Sequence, residues 1–232
     1  MHRKMNQDDC FVSEEPVGNL PNLFIVADGM GGHNAGEYAS RHTVETMVES
    51  ARHAFRMQPQ EILKDAIEEA NGELLREAIR NASMWGMGTT VVAAVISGNR
   101  MHVANVGDSR LYVVNDSMRQ VTMDHSYVEE LVRRGEIDRE AARNHPDKNI
   151  ITRAVGVTRE IEIDFFEEML NPGDRIILCS DGLTNMIEDE KIHEIMREQQ
   201  EAAEAAIKLT EAANRNGGKD NITVIVINPF SR

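Results

Sequence analysis

Two apolar runs in this chain end in the same dipeptide: Leu23-Phe24-Ile25-Val26-Ala27 leads into Asp28-Gly29, and Ile176-Ile177-Leu178-Cys179-Ser180 leads into Asp181-Gly182. A further acid, Asp220, stands with Asn221 at the start of the last apolar run. An ionised carboxylate at the edge of a buried sheet is costly unless it is paired or bound to a cation, and neither Asp28 nor Asp181 has an adjacent Arg or Lys. Carboxylate and carbonyl oxygens are hard donors. No Cys or His stands among these positions, which selects magnesium or manganese over zinc or copper. A single Asp-Gly is also the mark of a tight turn capped by its own aspartate; three strand-end acids together argue for a cation.

The loop Gly29-Met30-Gly31-Gly32-His33-Asn34-Ala35-Gly36 lies between a strand and a helix, where glycines often cradle phosphates. Its spacing is not G-x-G-x-x-G, it lacks a Gly-Lys-Ser/Thr ending, and Asp28 would set a negative charge beside the phosphates. Around a metal, small residues let carbonyls and water come close. At the amino terminus, Arg3-Lys4 precede Gln7-Asp8-Asp9; taken alone, this reads as a solvated chain end.

The elements that must carry these acids are legible as short apolar runs bounded by Gly, Asn or Asp at 23–27, 89–96, 101–105, 111–114, 175–179 and 223–227. Helical spacing of apolar residues marks 35–55 and 61–82, with a third helical region at 188–214. The order predicts an α+β fold with mostly antiparallel strands rather than a βαβ alternation. The charged, weakly apolar stretch 124–156 predicts an excursion from the sheet. No linker divides the 232 residues, so one domain over 1–232 is expected.

With 39 acidic against 25 basic side chains, the net charge of −14 argues against nucleic-acid binding, which needs a concentrated basic face. Cys10 and Cys179 stand alone, as in a reducing cytoplasm, and no run is long enough to span a bilayer. There is no Cys-x5-Arg loop and no Gly-x-Ser-x-Gly elbow to supply a nucleophile.

Taken in order, Arg3 to Asp8, Val26-Ala27-Asp28-Gly29-Met30-Gly31-Gly32-His33, Gly88-Thr89-Thr90, Asn105-Val106-Gly107-Asp108-Ser109-Arg110, Asp124-His125-Ser126, Leu178-Cys179-Ser180-Asp181-Gly182-Leu183 and Lys219-Asp220-Asn221 resemble the bacterial type 2C metal-dependent serine/threonine protein phosphatases. The resemblance implies a central sandwich of two antiparallel β-sheets flanked by α-helices, with a flap at about 124–149. It implies two manganese or magnesium ions and a weaker third. Asp28 would bridge the pair, Gly29 would lend its carbonyl, Asp181 and Asp220 would complete the first ion, and Asp124 would share the third with Asp181. Arg3 resembles the phosphate-binding arginine, Asp8 the acid that holds water, and His33 a candidate acid for the leaving alkoxide. Asp108 reads as a buried turn acid and is left out of the site.

The implied activity is hydrolysis of phosphoserine and phosphothreonine on proteins by a water bridging two cations, opposing a bacterial serine/threonine kinase. The expected protein is a cytoplasmic monomer. Gln7 departs from the family's usual Glu, which leaves a rival reading: a pseudo-phosphatase that binds phosphoproteins without hydrolysing them. A phosphatase dedicated to a single anti-sigma antagonist is the other alternative, disfavoured by the flap-like segment and the lack of a sensor.

Overall fold

The computed structural model describes residues 5–32 and 34–230. Strands β1 (Asp8–Ser13), β2 (Leu23–Met30), β3 (Gly88–Thr89), β4 (Val91–Ser97), β5 (Arg100–Val106) and β8 (Asp164–Met169) form one sheet; β6 (Arg110–Val114), β7 (Met118–Gln120), β9 (Arg175–Cys179) and β10 (Val224–Ile227) form another. Every pairing between them is antiparallel. Helices α1 (Ala35–Arg52) and α2 (Pro59–Arg80) cover the outer face of the first sheet. Helices α5 (Asp181–Thr184), α6 (Asp189–Glu198) and α7 (Ala202–Arg215) cover that of the second. Between β7 and β8 the chain leaves the sheets and forms α3 (Tyr127–Arg133) and α4 (Arg139–Arg143).

The layering explains the sequence pattern. Phe24 and Val26 of β2 pack between the sheets with Val92, Ala94, Leu111, Ile176 and Leu178, while Ile25 and Ala27 face the helices with Met47, Ile62 and Ile67. A strand buried on both faces is apolar without alternation, so the central strands were legible as continuous runs. Burying a large aliphatic side chain contributes about 1.5–3 kcal/mol, and this three-layered interior can therefore hold several acids in unfavourable company at its edge. Two outer strands, β1 and β8, escape the sequence pattern: each carries two or more acids and pairs with a single neighbouring strand. The predicted third helical region is two helices, broken at Gln199–Glu201. No helix among the described residues is long and apolar enough to cross a membrane.

Register brings the acids to one end. Asp8 at the start of β1 lies opposite Asp28 near the end of β2. Thr90 follows across the sheet, its backbone N–H donating to the Asp28 carbonyl (2.9 Å), and Val106 at the end of β5 pairs with Val91. In the second sheet Cys179 pairs with both Arg110 and Val224, which sets Ser180, Asp181 and Thr223 at the matching end.

Candidate metal centre

Asp28 enters the site with its backbone clamped: its N–H donates to Thr90 Oγ1 (3.0 Å), and its carbonyl accepts from Thr89 Oγ1 (2.9 Å). Gly29 follows in a space with no room for a side chain, since a Cβ there would overlap the carbonyl oxygens of Gly36 and Gln7. The Gly29 N–H donates to the Gln7 carbonyl (2.9 Å), and Ser40 Oγ donates to that same carbonyl (2.6 Å), tying the approach to β1, the glycine loop and α1 together. Gln7 uses its side chain to reach the Gly31 carbonyl (3.4 Å).

Asp8 is buried, and its Oδ2 accepts hydrogen bonds from Ser180 Oγ (2.8 Å) and Thr223 Oγ1 (2.7 Å), joining the two sheets. Its Oδ1 is buried without a hydrogen-bond partner. Asp181 repeats the pattern: Oδ2 accepts from Asn185 Nδ2 (2.8 Å), and Oδ1 is buried and unpartnered. Asp220 accepts the Asn221 N–H (2.9 Å), while Asn221 Oδ1 accepts the Gln7 N–H (3.0 Å) and its Nδ2 donates to the Met5 carbonyl (3.0 Å). The amino-terminal segment and the Asp220 turn are thereby fastened to each other.

The acids feel one another strongly. Burial, then the charges of Asp8, Asp181, Asp108 and Asp220, hold the Asp28 carboxyl well above the ordinary carboxylate range. Burial raises Asp8, assisted by Asp220, and pushes Asp181 to about 6, again with Asp220 adding to it. No described Lys, Arg or His forms an ion pair with Asp8, Asp28 or Asp181. Buried carboxylate oxygens with no hydrogen bond are expensive unless a cation meets them, and an all-oxygen donor set suits magnesium or manganese. The residues therefore fit a divalent-cation centre. Among the described residues no three His, Cys, Asp or Glu side chains are already drawn to one point.

These shifts set a pH dependence. An acid raised on folding contributes nothing adverse below its unfolded value near 3.8, where it is protonated in both states; its cost grows as pH climbs from there to the folded value, about 6 for Asp181, and is constant above it. The metal-free protein is expected to lose melting temperature as pH rises from about 4, with a shallower loss up to about pH 6 in Asp181→Asn, and manganese should raise the melting temperature more at pH 7.5 than at pH 5. Calorimetry of EDTA-treated protein checks this; equal slopes in the two proteins would contradict it.

Two sequence assignments look different in three dimensions. Asp124 does reach the cleft, but both its oxygens are engaged: Arg110 Nε lies 3.0 Å from each, Arg110 Nη2 is 2.7 Å from Oδ2, and Gln120 Nε2 is 2.7 Å from Oδ1. Asp108, set aside from sequence as a turn acid, lines the same cleft of about 610 Å³ together with Asp124 and Asp181. Burial and then the charges of Asp181 and Asp124 hold it well above the carboxylate range. The signal was present in the sequence, because the strand read at 101–105 is followed within three residues by Asp108. Arg3 and His33 lie outside the described residues.

The family model for protein phosphatase 2C matches residues 2–214. The serine/threonine phosphatase stp of Listeria innocua is 44% identical over 230 residues, covering 97% of this chain and 90% of that protein. Among solved structures, serine/threonine phosphatase Stp1 from Staphylococcus aureus superposes with a TM-score of 0.90 at 35% identity, over 97% of this chain and 89% of that one. The catalytic domain of the serine/threonine protein phosphatase PstP, in complex with two manganese ions, gives a TM-score of 0.86 at 34% identity, over 97% and 92%.

Proposed function

This chain belongs to the protein phosphatase 2C family and is a serine/threonine protein phosphatase, and we propose a division of labour among its strand-end aspartates. Asp28, the Gly29 carbonyl, Asp181 and Asp220 would hold the divalent cations. Bound there, two cations lower the pKa of water from about 15.7 toward about 7 and offset the charge of the phosphoryl group. Asp8 keeps one oxygen on Ser180 and Thr223 and offers the other as hydrogen-bond acceptor to the attacking water. By motif position, Arg3 binds the phosphate and His33 protonates the leaving alkoxide.

The observation that carries this reading is the pair of buried oxygens, Asp8 Oδ1 and Asp181 Oδ1, which no hydroxyl, amide or cationic side chain meets; the two acids come from different sheets at one end of the sandwich and share the Asp28 carboxyl as a neighbour. A weaker third cation falls to Asp108 with Asp181. Asp124 serves instead as the counter-charge that holds Arg110, since the guanidinium takes both its oxygens. The whole chain works as one catalytic domain, with 124–149 as its flap. Its substrates are phosphoproteins; it opposes a bacterial serine/threonine kinase as a monomer in the cytoplasm, where the free thiols of Cys10 and Cys179 would stay reduced.

Manganese-dependent release of phosphate from a phosphothreonine peptide, abolished by EDTA and regained on adding the metal, is the expected result. A folded protein that binds the peptide but turns none over at saturating manganese would make the chain a binding module, the reading Gln7 motivates.

A further inference from the structure

Gly107, the residue before Asp108, is gripped on both of its backbone groups by a single residue. Its N–H donates to His125 Nδ1 (3.0 Å), and its carbonyl accepts the His125 N–H (2.9 Å), with Asn105 Nδ2 a longer second donor (3.3 Å). Gly107 has φ +106°, and the place a Cβ would occupy is filled by Thr90, so the turn cannot retreat toward β4. Because Nδ1 accepts an amide, the neutral ring carries its proton on Nε2, which lies 3.1 Å from Asp164 Oδ2 on β8 and 3.3 Å from Arg153 Nη1. The other Asp164 oxygen accepts from Arg153 Nη1 (2.9 Å). His125 is 6% exposed, so the ring has little freedom to turn away.

The same residue closes the base of the flap. Its carbonyl accepts the Thr152 N–H (2.8 Å), and Ser126 bridges to Ile151, so the chain enters and leaves the 124–149 segment across His125. We infer that His125 is a positioning residue for Asp108: it holds the Gly107–Asp108 turn through Nδ1 and links the base of the flap to cation affinity at Asp108. The inference rests on the assignment of Asp108 to the weaker cation. It needs only the geometry of the ring and the turn, and His125 does not line the cleft that Asp108, Asp124 and Asp181 share.

Asparagine and glutamine separate this role from a general contribution to stability. The amide oxygen of Asn reaches about where Nδ1 lies, whereas that of Gln reaches about where Nε2 lies. Manganese titration calorimetry on His125→Gln is expected to weaken the lowest-affinity binding event about tenfold or more, as loss of an outer hydrogen bond commonly does. His125→Asn should stay within about threefold of wild type, and the tighter events should be unchanged in both. Hydrogen exchange in the metal-free protein should show faster exchange of the Gly107 amide in His125→Gln but not in His125→Asn. Equal affinities in the two variants, or an unchanged Gly107 amide in His125→Gln, would overturn the inference. If His125→Gln does not fold, Asp164→Ala, which frees the outer side of the ring, replaces it; it should weaken the same event about threefold or more, and wild-type affinity there counts against the role. Asp108→Asn is the control. If it leaves the weak event intact, the assignment of Asp108 is at fault; if it removes the event while His125→Gln does not, the role of His125 is.

Discussion

Asp28→Asn is expected to abolish manganese-dependent phosphatase activity, by about a thousandfold or more, while making the metal-free protein more stable than wild type. Both effects follow from its position. The side chain is the meeting point of the cluster, feeling Asp8, Asp181, Asp108 and Asp220 together, and removing its charge takes away a ligand proposed for the divalent cations. In the metal-free protein the same charge is a burden. Its carboxyl is held well above its unfolded value near 3.8, so the folded state must take up a proton or bear repulsion, a cost that is absent in acid and grows as pH rises. An asparagine has no such cost. The melting temperature should therefore rise by on the order of a few degrees at pH 7.5, with the gain shrinking toward pH 4. Calorimetry with and without EDTA, beside phosphate release, measures both halves. Loss of activity with no gain in metal-free stability would mean that the acids are not held in mutual repulsion.

Gly29→Ala is expected to cost about 3 kcal/mol or more in stability and about a hundredfold or more in activity. The new methyl group would run into the carbonyls of Gly36 and Gln7, and backbone on both sides leaves nothing flexible to yield. Gly32→Ala in the same loop is the control, because nothing lies within 4 Å of its Cβ position. Its stability should remain within about 0.5 kcal/mol of wild type. Urea denaturation of the two variants compares them directly; similar midpoints would remove the close approach of three backbone segments as the reason for a glycine at 29.

The central architecture could be read before folding because the stretches 23–27 and 91–96 are buried on both faces and so are apolar throughout. The outer strands were not legible. Asp8–Ser13 begins with two acids at what looked like a loose chain end, and its pairing with Leu23–Met30 is a contact between distant parts of the chain that no local pattern announces. The break at Gln199–Glu201 was also hidden, since neither Gly nor Pro marks it.

Within the site, the sequence by itself determined which chemistry was available: aspartates at strand ends, glycines beside them, no thiolate or imidazole among them, and an ordered set of motifs that shares its family with known phosphatases. Only the tertiary structure decided how those acids divide. It leaves single oxygens of Asp8 and Asp181 without partners, commits both oxygens of Asp124 to Arg110, and brings Asp108 into their cleft. Residue type and spacing specify what an acid can bind. Whether its oxygens are open to a cation depends on register across two sheets and on which guanidinium or hydroxyl arrives first, and those neighbours come from positions far away in the chain.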